Sequence, residues 1–227
     1  GTLELRTQYG ISDAARLSIS NGQVRIGADL AERVGQLFLN GFQQMSGTWG
    51  TTASGATHAD DTHFSGNGIL YVLRSPAITA TNATWDAGGA DTFLSNTNNW
   101  REDALPAFNG TTHAIFGDGG STATVDTAVS LHGMTFNRAG DFTLAGGDGA
   151  LALGEGGITA ASPDTAYRTY TLSEDLTLTE NSTWHVATNG TGVTTLTVSG
   201  SIADGLDPYS ITKTGKGTLI LSGSNTY

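Results

Sequence analysis

Apolar and polar residues alternate in short runs along most of the chain, and glycine or asparagine punctuates nearly every gap. A period of two is the mark of a strand with one face buried. In the first third the alternation predicts strands over 2–6, 16–20, 23–27 and 36–40, with turns at Asn21-Gly22 and Asn40-Gly41. An irregular polar stretch, 48–68, follows, and a closing strand is expected over 69–73. Residues 74–84 contain Pro76 and small polar side chains and read as a linker.

A second block opens at Trp85, with strands expected over 114–117, 123–126, 134–137, 142–146, 151–157, 158–160, 170–173, 176–180, 183–187, 194–200, 210–215 and 218–223. Two segments, 11–19 and 28–39, place Ala, Leu and Arg at near-helical spacing behind the possible N-caps Asp13 and Asp29. Their β-rich surroundings favour strand or turn. The strands alternate apolar residues with threonine, which suits a pleated surface wet on its outer side. Short strands between Gly and Asn turns fit an all-β, parallel β-solenoid, in which stacked coils complete one another's core. A β-sandwich is the alternative, although it favours longer strands and more tight hairpins.

Composition narrows the function. Lys plus Arg number 10 against 21 Asp plus Glu, a net charge of −11. Nucleic acid and anionic membrane surfaces both call for the opposite balance. With no cysteine, disulfides and thiolate zinc sites are excluded. The apolar runs are far too short to span a membrane as helices. No basic-then-apolar leader opens the chain, so a processed protein or a piece of something longer is expected.

Candidate chemistry is sparse. His58, Asp60, Asp61 and His63 lie close together in "THADDTHF", but the spacing matches no metal signature and a solvated loop is expected. The stretch 146–157 has the glycines of a calcium-binding β-roll without its repeat or its aspartate offset. Acidic residues do not cluster as a glycan-cleaving site needs. Trp49, Trp85, Trp100 and Trp184 are expected to plug ends or pack turns rather than form a sugar platform, with "WDAGG…NNW" (85–100) as a cap-like fold-back. No enzyme activity, metal or other cofactor is expected.

The end of the chain, "ITKTGKGTLILSGSNTY" (211–227), resembles the autotransporter-associated, or passenger-associated, β-strand repeat. Lys213, Gly215, Gly217, Thr218, Leu219, Leu221, Ser222, Gly223, Asn225, Thr226 and Tyr227 match its pattern, x-K-x-G-x-G-T-L-x-L-S-G-x-N-T-Y. The G-T-L-x-L piece that the repeat carries further on stands at the other end, as Gly1 to Leu5. The stretches 85–100 and 37–72 are similar to opening and closing segments of modules in very long bacterial surface proteins.

The resemblance implies a right-handed parallel β-helix, exported to the cell surface or beyond, and no enzyme. Residues 1–73 then form the closing part of one module, 74–84 a linker, and 85–227 the opening and body of the next. The expected role is a structural subunit or repeat of an extracellular bacterial fibre that joins copies of itself head to tail. Gly1, Thr2, Leu3, Leu5, Gly217, Thr218, Leu219, Leu221, Asn225 and Tyr227 are expected at the joint. The alternative is a surface adhesin or glycan-binding passenger that uses loop 48–68.

Overall fold

A computed structural model describes residues 1–76, 79–117, 119–205 and 208–227. The described residues are all-β, with three short 3-10 turns and no α-helix. They form two compact units, Gly1–Ala77 and Ile78–Tyr227.

Unit 1 contains β1 (Thr2–Leu5), β2 (Arg16–Ile19), β3 (Gln23–Ile26), β4 (Ala31–Val34), β5 (Gln36–Leu39), β6 (Phe42–Gln43), β7 (Gly47–Gly50), β8 (His58–Ala59), β9 (Phe64–Ser65) and β10 (Ile69–Val72). Three parallel stacks arise: β1-β3-β9, β2-β5 and β4-β10. The chain visits them in rotation, placing β3, β4 and β5 in turn and returning to the stacks of β3 and β4 with β9 and β10. The segment 28–39, with its helical spacing, is β4 and β5 on either side of Gly35. Alternation wins because Glu32, Val34, Leu37 and Leu39 all turn inward and are buried. Leu5, Val24, Ile26, Leu37 and Leu70 are among the residues that fill this core.

Unit 2 contains β11 (Thr81–Trp85), β12 (Thr112–Phe116), β13 (Thr122–Val125), β14 (Ala128–Phe136), β15 (Phe142–Gly146), β16 (Ala150–Ala160), β17 (Arg168–Leu172), β18 (Leu176–Leu178), β19 (Ser182–Val186), β20 (Thr188–Asn189), β21 (Gly192–Val198), β22 (Ile202–Ala203), β23 (Ile211–Thr214) and β24 (Thr218–Leu221). Three parallel stacks recur. One runs β11, β12, the second half of β14, the end of β16, β19 and β23. A second runs β13, β15, β17, β21 and β24. The third runs through the first halves of β14 and β16 to β18 and β22.

Inward residues stack on like residues one turn later. Phe116, Phe136 and Ala160 share one ladder, and Leu144, Leu172, Val198 and Leu221 another. Phe116 stacks on Phe136 and Phe136 on Tyr170, with ring centroids 5.4 and 5.5 Å apart. Buried aromatic surface of this kind dominates the core's stabilisation. Where β17 and β21 pair, their outward positions are threonines.

The structure corrects three sequence expectations. Residues 81–84 of the expected linker are the strand β11, paired in register with β12; positions 77 and 78 lie outside the described residues. The runs 151–157 and 158–160 are one bent strand, β16, and its partner β14 begins six residues before the expected 134, at Ala128. The stretch 48–68 is less irregular than its polarity implies, since β7, β8 and β9 use its backbone.

Candidate assembly surfaces

The two units finish their stacks differently at their two ends. In unit 1 two of the three stacks end under strands of reversed direction. β6 runs antiparallel along β5, and β7 runs antiparallel along β10. Trp49 in β7 is buried, lies against the His58 ring at 4.7 Å and donates its indole N–H to the Met45 carbonyl at 2.9 Å. A reversed strand satisfies the edge groups of a stack and offers no continuation of its pattern, so it blunts the edge.

The polar residues of 57–64 hold this cover together. Asp60 accepts from the His63 ring at 2.7 Å and from the backbone N–H groups of Thr62 and His63. His63 Nε2 meets Asn40 at 3.1 Å, and Asp61 accepts from the N–H and hydroxyl of Thr52. His58 reaches the Ser46 carbonyl instead. Asp60 and His63 thus bond each other while His58 and Asp61 face other partners, and among the described residues no group of three or more His, Asp or Glu could hold a metal ion.

In unit 2 it is the first turn that is covered. The segment after β11 folds back on itself around the fully buried Asn99. The Asn99 amide donates to Asp91 and to the Phe93 carbonyl and accepts from Gly89 N–H, while its carbonyl accepts from Asp86 and Ala87. Trp100 packs edge-on against Trp85 at 5.4 Å and donates to the Leu94 carbonyl. Both indoles are buried, so the core ends under an aromatic lid. A groove of about 350 Å³ beside β11 runs between Thr84 and Leu105.

Among the described residues the opposite ends carry no such cover, and the ten residues expected at the joint divide between them. On unit 1, Gly1 accepts from Gln23 N–H, and Thr2, Leu3 and Leu5 follow in β1, which among the described residues has β3 as its one strand partner. Leu5 is buried, but Leu3, turned to the same face, is 46% exposed. A hollow of about 250 Å³ opens beside it, lined by Leu3, Leu17, Ile19 and Val24. The buried Glu32 carboxylate accepts from Gly10 and Ile11 N–H at 3.0 and 2.9 Å, a link the sequence pattern does not reveal.

On unit 2, Gly217 N–H donates to the Val186 carbonyl, and Thr218, Leu219 and Leu221 lie in β24, which among the described residues pairs with β21 alone. Leu219 and Leu221 face the core yet are only half-buried. Asn225 accepts from Ile202 N–H and Thr226 donates to the Ile202 carbonyl, so the third stack begins its next turn here. Tyr227 is 40% exposed.

Several carboxylates brace these turns. The Arg168 guanidinium, aided by the Ser162 hydroxyl, pulls the Asp164 carboxyl down to about 2. The Phe93 N–H and Asn96 amide lower Asp91, and the Thr52 hydroxyl and N–H lower Asp61. Each folded pKa lies below the unfolded value of about 3.9, so each contribution is complete above that value and is lost as pH falls through the folded one. Thermal melts should therefore hold steady from neutrality to about pH 4 and fall between about pH 4 and 2. A melting temperature unchanged at pH 2 would contradict the assignment.

Among the described residues no helix is long and apolar enough to cross a membrane. Comparison with family models, curated proteins and solved structures finds no match for this chain.

Proposed function

We propose that this chain is a non-enzymatic structural repeat of an extracellular bacterial fibre, a right-handed parallel β-helix that extends head to tail through its open ends. The observation that carries the reading is the contrast between ends: two stacks of unit 1 finish under reversed strands and unit 2 starts under its fold-back, while β1 and β24 are, among the described residues, edge strands beside partly exposed leucines. Free parallel edges are templates for another strand unless something blunts them. The ordered visit to three stacks supports the β-helix, and the resemblance of 211–227 to the autotransporter-associated repeat supports export. A joint between two different faces does not close on itself, so it propagates as a filament.

Complementary blocking tests this. Leu3→Asp puts a charge on the open face of unit 1, and Leu219→Asp does so on that of unit 2. Each variant alone should stay monomeric by sedimentation, and an equal mixture should stop at dimers, because one good face of each kind remains. Circular dichroism checks that both variants keep their β-structure. Extended assembly of either variant alone would overturn the head-to-tail reading.

A further inference from the structure

Resting on the head-to-tail reading, we infer that the joint is one defined strand pair: the free edge of β24 takes β1 of the next copy, parallel, with Leu219 opposite Leu3 and Leu221 opposite Leu5.

Side-chain direction gives the first argument. Leu219 and Leu221 extend the inward ladder from Leu196 and Val198, and Leu3 and Leu5 begin the inward ladder of Val24 and Ile26. Pairing Leu219 with Leu3 makes the two ladders one. A slip of a single residue would turn every leucine of the added strand to solvent.

Hydrogen-bond parity is the second, independent argument. In unit 2 the carbonyls of the inward residues Leu144, Leu172 and Val198 accept from the following turn, from Ser173, Ser199 and Ser222 at 2.9–3.0 Å. In unit 1 the inward Leu5 carbonyl accepts from Gly27 of the following turn at 3.3 Å, and the inward Val24 N–H donates to His63 of the turn after it at 2.8 Å. Both units therefore bond forward through inward residues and backward through outward ones. On β24 that leaves the backbone groups of Leu219 and Leu221 without a strand partner among the described residues, and on β1 those of Thr2 and Glu4. These fit one register: Leu219 N–H to the Thr2 carbonyl, Glu4 N–H to the Leu219 carbonyl, Leu221 N–H to the Glu4 carbonyl, and Arg6 N–H to the Leu221 carbonyl.

Corner lengths give the third. Gly35 alone separates β4 from β5, as His132 alone marks the bend within β14 between the third and first stacks of unit 2. Aligning these single-residue bends matches the β1-β3-β9 stack to the stack that ends in β24. The shared Gly-Thr-Leu-x-Leu of 1–5 and 217–221 agrees with that match.

The register is tested on the full chain with two substitutions at one position. Glu4→Pro removes an N–H that points away from β3, so unit 1 keeps its own pairing. Glu4→Ala loses the same exposed ion pairs to Arg6 and Arg25 but keeps the N–H. Assembly should be abolished by the proline and retained by the alanine. The chain has no cysteine of its own. Outward residues opposite each other across strands about 4.8 Å apart lie within disulfide reach, so Ile220→Cys with Glu4→Cys should give an oxidised ladder of covalent oligomers, and Ile220→Cys with Thr2→Cys should not. Filaments that survive Glu4→Pro, or that cross-link equally through Thr2→Cys, would overturn the register and leave the fibre reading standing. An unmodified chain that never assembles would overturn both.

Discussion

Trp100→Ala lowers the stability of unit 2 by about 3–5 kcal/mol, the range for removing a fully buried large aromatic. The indole contacts Trp85, Phe108 and Phe116, with ring centroids 5.4, 5.9 and 6.4 Å away. Its N–H also satisfies the Leu94 carbonyl, which the alanine leaves without that donor. The neighbours cannot collapse into the gap easily, because Trp85 is tied into β11 and the fold-back is fixed by Asn99. Urea denaturation followed by circular dichroism measures the loss. Trp100→Phe should recover part of it by refilling the ring volume without the hydrogen bond. A loss under about 1 kcal/mol would mean that the lid does not close the core. The damage also reaches assembly: with the lid gone, unit 2 offers apolar surface at both ends, and disordered aggregates should compete with filaments.

Gly157→Val should be comparably severe for a different reason. Gly157 sits in the bend of β16 at φ +61°, and a Cβ there would lie 2.0 Å from the Thr183 carbonyl oxygen. That oxygen is backbone of β19, which is held in register to β16 at Trp184, His185 and Val186. Holding a branched residue in the left-handed region costs about 1–3 kcal/mol. Forcing apart packed groups costs about as much again. β23 pairs with β19, so displacing β19 removes the platform for the open end. Loss of cooperative unfolding together with loss of assembly is expected. A variant that melts and assembles like the unmodified chain would show that the stack can shift by a whole contact distance.

Much of this arrangement is legible in the sequence because one rule, inward alternation, governs most strands. Leu144, Leu172, Val198 and Leu221 each stand in an apolar/polar run that reads as strand without further help. Where the alternating face is weakly apolar the signal fades. β4 offers Ala31, Glu32 and Val34, and its inward glutamate is buried only because Gly10 and Ile11 donate to it. β11 is read as linker because Thr81, Asn82 and Thr84 resemble any polar tether; the neighbouring strand β12 makes it a strand. The turn at Asn40-Gly41 that brings β6 against β5 is legible, whereas the β7 cover is not: its antiparallel pairing with β10 is long-range, and no local pattern encodes it.

The same division holds for the assembly surfaces. The Gly-Thr-Leu-x-Leu pieces are visible as letters, and so is their split between Gly1–Leu5 and Gly217–Leu221. Edge status is not, since it depends on which strand lies alongside. That an inward leucine such as Leu3 remains 46% exposed is a three-dimensional fact.

Electron microscopy of the purified, unmodified chain over a range of concentrations tests the central claim most directly. Head-to-tail joining predicts unbranched filaments that lengthen with concentration and whose diffraction carries the strand spacing of about 4.8 Å. Separate particles of single-chain size at every concentration, with no end-to-end contacts, would contradict it.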